Sequence, residues 1–241
     1  MTESPENSQS IGPFIASPTA SHPPDLRHIE PVLYGDIFDY PLTADEIWRY
    51  CPLELTREQV VNLLEENGLV PRHEEFYHLT GREELVELRR RRETVSRSIW
   101  KRARRVAGLI QHIPFIRAVA VTGSLPTDNA DRDGDPDFLV ITAPNRIWTV
   151  FFFLGTIQKL TSTRTLCPNF YISEESLLVT PCDYYNAREV TQAIPLVGLE
   201  LFDRFLEAND WVRKYVPNFR RSPHREDGPL PRGRLLGPLG R

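Results

Sequence analysis

Three observations predict a mixed α/β (α+β) fold, in which a small helical unit and a long basic helix precede a mixed sheet with flanking helices. Two apolar runs, 117–121 and 138–142, read as neighbouring strands. A helical spacing of apolar residues persists from 83 to 113, and strand and helix signals alternate after 114.

The chain has 241 residues, 40% hydrophobic and 26% charged, with a net charge of -4. That is an ordinary globular balance, with no global pull toward nucleic acid or membrane. Cys51, Cys167 and Cys182 form no CxxC pair, and their odd number argues against a disulfide framework, so a reducing, cytoplasmic setting is expected. The start, MTESPENSQS, has neither the basic nor the apolar region of a secretory signal. The most apolar run, 147–155, is far shorter than the roughly 20 residues a membrane span requires. It reads as a buried helix, with Trp148, Phe151, Phe152 and Phe153 as core. Ten of the 21 prolines fall in the first 27 or last 25 residues, which marks 1–27 and 218–241 as tails without a fixed fold.

Within 28–80 the pattern is helix, helix, helix, hairpin. The first helix, 31–40, stops before Pro41. Thr43 with Glu46, and Thr56 with Gln59, have the spacing of capping boxes and should start the next two. The third ends at Asn67-Gly68, a left-handed stop, and 69–79 holds two short apolar stretches around a polar turn. This is the order of a small winged-helix-like domain. A DNA-reading helix at 57–67 should be basic, yet it carries Glu58, Glu65 and Glu66 against Arg57, so docking or packing is the expected role.

The helix over 81–113 links this unit to the next. Its apolar face uses Leu85, Leu88, Val95, Ile99, Val106, Ile110 and Ile113; from Arg82 to Arg105 it carries ten Lys or Arg against four acids. It reads as a solvated face or, at Arg89 to Arg92, as a contact for a polyanion. In 114–217, strands are expected at 117–121, 138–142 and 167–172. Helices are expected at 146–160, 187–193 and 199–208.

Between the first two strands lies SLPTDNADRDGDPD, in which Asp128, Asp131, Asp133, Asp135 and Asp137 crowd within ten residues. Mutual repulsion means that a cation, or solvent, must hold such a group together. A calcium loop starting at Asn129 places Gly134 correctly, but it has Val140 where a bidentate glutamate belongs. A metal-dependent phosphate site accounts for more residues. Gly123 lets backbone N–H groups approach a phosphate and Ser124 adds a hydroxyl. Asp135 and Asp137, two apart at the start of a strand, are expected on one face to share Mg²⁺. A solvated acidic turn is the third reading.

Gly-Ser, a loop, then Asp-x-Asp leading into an apolar strand resembles the signature of the nucleotidyltransferase superfamily, with its DNA polymerase β-like fold. More closely, GREELVELRRRR, GSLPTDNADRDGDPDFLV, LCPN and NAREV, in that order behind a winged-helix-like segment, are similar to an uncharacterised bacterial nucleotidyltransferase-domain group. The resemblance implies a nucleotidyltransferase-like sheet in which Gly123 and Ser124 hold the triphosphate of an NTP. Asp135 and Asp137 would then be the catalytic, metal-binding pair for Mg²⁺ or Mn²⁺. It implies transfer of an NMP to an unknown acceptor, which would be a small molecule, protein or RNA. The chain departs from the pattern at Asn169, where a third acid is usual, at Pro136 between the aspartates, and at Gly134. The alternative is therefore a catalytically degenerate module of the same fold, docking a protein or nucleic acid.

Overall fold

The computed structural model describes residues 26–161 and 167–220, so the two expected tails lie almost wholly outside the described residues. Helix α1 (Glu30–Asp36) carries Pro31 in its first turn, where the missing N–H is not needed. It ends earlier than the approach of Pro41 suggested. The chain folds back over Gly35, whose carbonyl accepts the Tyr40 N–H at 3.0 Å, and a Cβ at 35 would press on the Tyr40 carbonyl at 2.5 Å. Strand β1 (Leu42–Thr43) follows. Both capping boxes form as expected and start α2 (Ala44–Tyr50) and α3 (Arg57–Asn67), and Gly68 closes α3 at φ 63°. Strands β2 (Arg72–His73) and β3 (Phe76–Tyr77) make the hairpin, and β1 pairs with β3 to give a small antiparallel sheet of order β1-β3-β2.

Helix α4 (Glu84–Ile110) is the long basic helix. It leads into β4 (Ile116–Thr122), β5 (Asp137–Thr142), α5 (Ile147–Thr161), β6 (Cys167–Ser173), α6 (Tyr184–Gln192), β7 (Ile194–Val197) and α7 (Leu199–Ala208). The second sheet has the order β6-β5-β4-β7. It is mixed: β5 and β6 run parallel and the other pairs antiparallel. Strand β7, which sequence patterning missed, is four residues long and contains Pro195. An edge position suits it, because no neighbour needs the absent N–H there.

The central strands are buried on both faces, which is why they read as unbroken apolar runs. Val119, Val121, Phe138 and Val140 face α4 and α5, while Ala118, Ala120, Leu139 and Ile141 face α6, α7 and the N-terminal helices. That second core is continuous with Val32, Ile47, Val60 and Tyr77, so the 28–80 unit and the sheet share one interior. The folded chain also runs past 217. Asn218, 3% exposed, donates to the carbonyls of Trp48 and Leu53 and accepts from the Leu55 N–H.

Two expectations are corrected. The aromatic residues of α5 are not core: Val150 and Leu154 fill the interior, while Trp148 and Phe152 stand 80% and 70% exposed and Phe151 and Phe153 are also exposed. Nor is Arg89 to Arg92 a free basic strip. Arg89 is buried between Glu46 and Glu93, Arg90 binds Glu74 and Glu75, and Arg92 reaches Asp131, Asn129 and the Phe38 carbonyl. Only Arg91 of the four is exposed with no ion pair among the described residues. No described helix is long and apolar enough to cross a membrane.

Candidate functional site

The acids between β4 and β5 do not converge on one point; α4 holds most of them apart. Trp100 Nε1 donates to Asp128 Oδ1 at 3.1 Å, Arg92 Nε pairs with Asp131 at 2.9 Å, and Arg102 Nη2 pairs with Asp135 at 3.2 Å. Two arginines of the helix, Arg92 and Arg102, thus serve as counter-charges of the acidic loop. A calcium loop needs its oxygens turned inward on one ion, and these are turned outward onto a helix.

Of the five, Asp137 is the one that lines the cleft beside Gly123. It is the first residue of β5 and lies opposite Thr122, the last of β4. With the alternation of the strand it shares the face of Leu139 and Ile141, toward α6. Asp135 was expected on the same face, but the strand begins only at Asp137. Pro136 supplies no ladder N–H, so alternation does not extend back to 135. Asp135 instead goes to Arg102 on α4 and is absent from the cleft lining. The expected clasp of Asp135 with Asp137 is not formed.

Gly123 is where the sequence reading placed it. It sits at φ 70°, and a Cβ there would come within 2.5 Å of Asp137 Oδ2, so backbone and carboxylate meet at a distance only glycine allows. Ser124 follows at the exposed mouth. The cleft, about 260 Å³, lies between α1, the β4–β5 end of the sheet and α6, with Tyr34, Phe38, Tyr185 and Arg188 among its walls.

A residue that sequence reasoning missed, Glu189 on α6, completes the acidic side. Its carboxylate lies beside the Gly123 N–H. Burial pushes its carboxyl above the usual range, the Gly123 N–H draws it down, neighbouring Asp137 pushes it up and Arg188 draws it down. The amide assigned to phosphate therefore already has an internal carboxylate beside it. The only signal in the sequence was the NAREV stretch, which carried no spacing rule relating it to the loop.

Asn169 also reaches the cleft. The β5–β6 register slips there, between the pairs Phe138–Pro168 and Leu139–Phe170, and such a slip re-aims a strand residue. A second, more apolar cleft of about 280 Å³ lies on the other side of Asn169, Tyr185 and Glu189, walled by Leu139, Phe170, Val190 and Phe205.

Asp137, Glu189 and Asn169 offer hard oxygen donors, a type that suits Mg²⁺, which takes one or two protein carboxylates and completes its shell with water and phosphate. No group of three or more His, Cys, Asp or Glu able to hold a metal occurs among the described residues. Compared with protein-family models, curated proteins and solved structures, the chain matches none.

Proposed function

We propose that the cleft binds an NTP together with Mg²⁺ or Mn²⁺, and that the protein transfers an NMP to an acceptor held in the adjoining apolar cleft. The observation that carries this reading is the meeting of Gly123 and Asp137: a left-handed glycine opens the backbone at the end of β4 directly against a carboxylate from β5. In a nucleotidyltransferase-like fold those are the places for triphosphate and metal. Asp137, with Glu189 beside it, would hold the ion, and Ser124 would donate to a phosphate oxygen. The ion would supply charge neutralisation as the acceptor oxygen bonds to the α-phosphorus and pyrophosphate departs. Tyr185 and Asn169, which line both clefts, would orient the two reactants, and positioning of this kind supplies much of the rate in such reactions.

A second reading is favoured by two observations, the Arg102–Asp135 pair and Asn169: one expected ligand is neutralised and another cannot take a proton. In that reading the cleft binds a nucleotide without transfer, as a docking or regulatory module. The test is incubation with α-labelled NTPs, Mg²⁺ or Mn²⁺ and a cell extract. Label transfer by wild type that is lost in Asp137→Asn supports the enzyme. Metal-dependent NTP binding without transfer supports the module, and absence of both overturns the two together.

A further inference from the structure

Two arginines are buried among the described residues, Arg89 at 6% exposure and Arg188 at 2%, and the fold treats them differently. Both guanidinium groups stack on rings. Arg89 lies over Tyr40 and Phe76, 4.1 and 5.4 Å from the centroids, and Arg188 over Tyr50 and Tyr34, at 3.7 and 4.6 Å. Ring faces soften the loss of water, but they give the N–H edge of the guanidinium no acceptor.

The edge of Arg89 is met by two carboxylates, Glu46 at 3.1 Å and Glu93 at 2.8 Å. The edge of Arg188 is met by neutral groups: the Tyr184 hydroxyl at 3.2 Å, and the Gln192 amide oxygen at 3.1 Å from both Nη2 and Nε once that amide is oriented to satisfy its own two ends. Among the described residues no carboxylate pairs with Arg188 at ion-pair distance; Glu189, next to it on α6, attracts it only through space and lies beside the Gly123 N–H. A buried cation without a directly bonded counter-ion is costly, and the cost is reduced when an anion arrives. Arg188 lines the same cleft as Gly123, Ser124 and Asp137. The cleft is therefore bipolar, with carboxylates at the β4–β5 end and a guanidinium toward α1 and α2.

We infer that Arg188 is the anion-binding residue of the cleft and that it recognises a phosphate group of the ligand. The inference takes phosphate as its anion from the nucleotidyl-transfer reading and so rests on it, but it requires neither metal nor transfer. A planar fork already fixed between two rings has only to exchange its neutral Gln192 and Tyr184 acceptors for phosphate oxygens, which favours paired hydrogen bonds over a point charge.

The test is calorimetric titration of the full chain with inorganic pyrophosphate in EDTA. Wild type should bind. Arg188→Lys keeps the charge but not the fork and should bind about tenfold more weakly or worse. Gln192→Glu gives Arg188 an internal carboxylate; it should also lose pyrophosphate binding, with a Tm at or above that of wild type. Gln192→Glu decides alone if Arg188→Lys does not fold. A wild type that ignores pyrophosphate in EDTA, or variants that bind as wild type does, would overturn the inference and return Arg188 to a purely structural role. Arginine-dependent pyrophosphate binding with no label transfer would support it while overturning the transfer reading.

Discussion

Gly123 and Asp137 show how much one residue type decides. Gly123→Ala meets both a positive φ and the Asp137 carboxylate, and is expected to cost about 1–3 kcal/mol in urea unfolding. Asp137→Ala in the same chain should return part of that loss, because it removes the colliding oxygen; simple additivity of the two substitutions would show the contact is not the cause. Glu189 carries a pH signature. Burial raises its carboxyl in the folded state, so the fold binds that proton more tightly than the unfolded chain does. Its contribution is thus most favourable at low pH and is lost as pH climbs from the usual carboxylate range through the raised value. Glu189→Gln has no such loss, so its stability relative to wild type should rise with pH through that window and then level off. Urea titrations from about pH 4 to 8 would read this, and a flat or falling difference would contradict the assignment. Arg89→Ala strips a partner from two carboxylates and should cost about 3–5 kcal/mol, while Arg91→Ala should change almost nothing.

Among the elements, the caps and strands were legible because their signals are local. Thr43, Thr56 and Gly68 act within four residues of themselves, and the runs at β4 and β5 are apolar because each strand is covered on both faces. What was not legible depended on partners distant in sequence. The basic face of α4 and the acidic loop each suggested an external ligand when read alone, yet Arg92–Asp131 and Arg102–Asp135 show that they answer one another in part, while Arg89 and Arg90 are paired with glutamates elsewhere. Asp135 was misplaced because Pro136 delays the strand by two residues, and Glu189 was overlooked because only the packing of α6 brings it to Gly123. The aromatic residues of α5 misled in the opposite direction, since a helix of uniform apolarity does not reveal which side is covered. Replacing Trp148 and Phe152 with Gln should leave stability within about 0.5 kcal/mol. Leu154→Ala, on the covered side, should cost about 2–5 kcal/mol.

Across the whole molecule, the cleft exists because two parts of the chain share an interior. Tyr34 and Phe38 from the N-terminal helical unit form one wall, the sheet end and α6 the others, and the core beneath runs without a break from Val32 to Phe219. Asn218 fastens the end of the described chain to α2 and the loop after it through three hydrogen bonds, one to Trp48 and two to Leu53 and Leu55. Unfolding should therefore be a single transition by calorimetry and by fluorescence, and separate melting of 28–80 would contradict a shared core. The proposed nucleotide site depends on Asp137, and not Asp135, facing the bound NTP. Titration of NTP with Mg²⁺ into wild type, Asp137→Asn and Asp135→Asn tests this most directly. Binding abolished at 137 and largely kept at 135 is the expected result; binding lost at 135 but kept at 137, or absent from wild type, would contradict it.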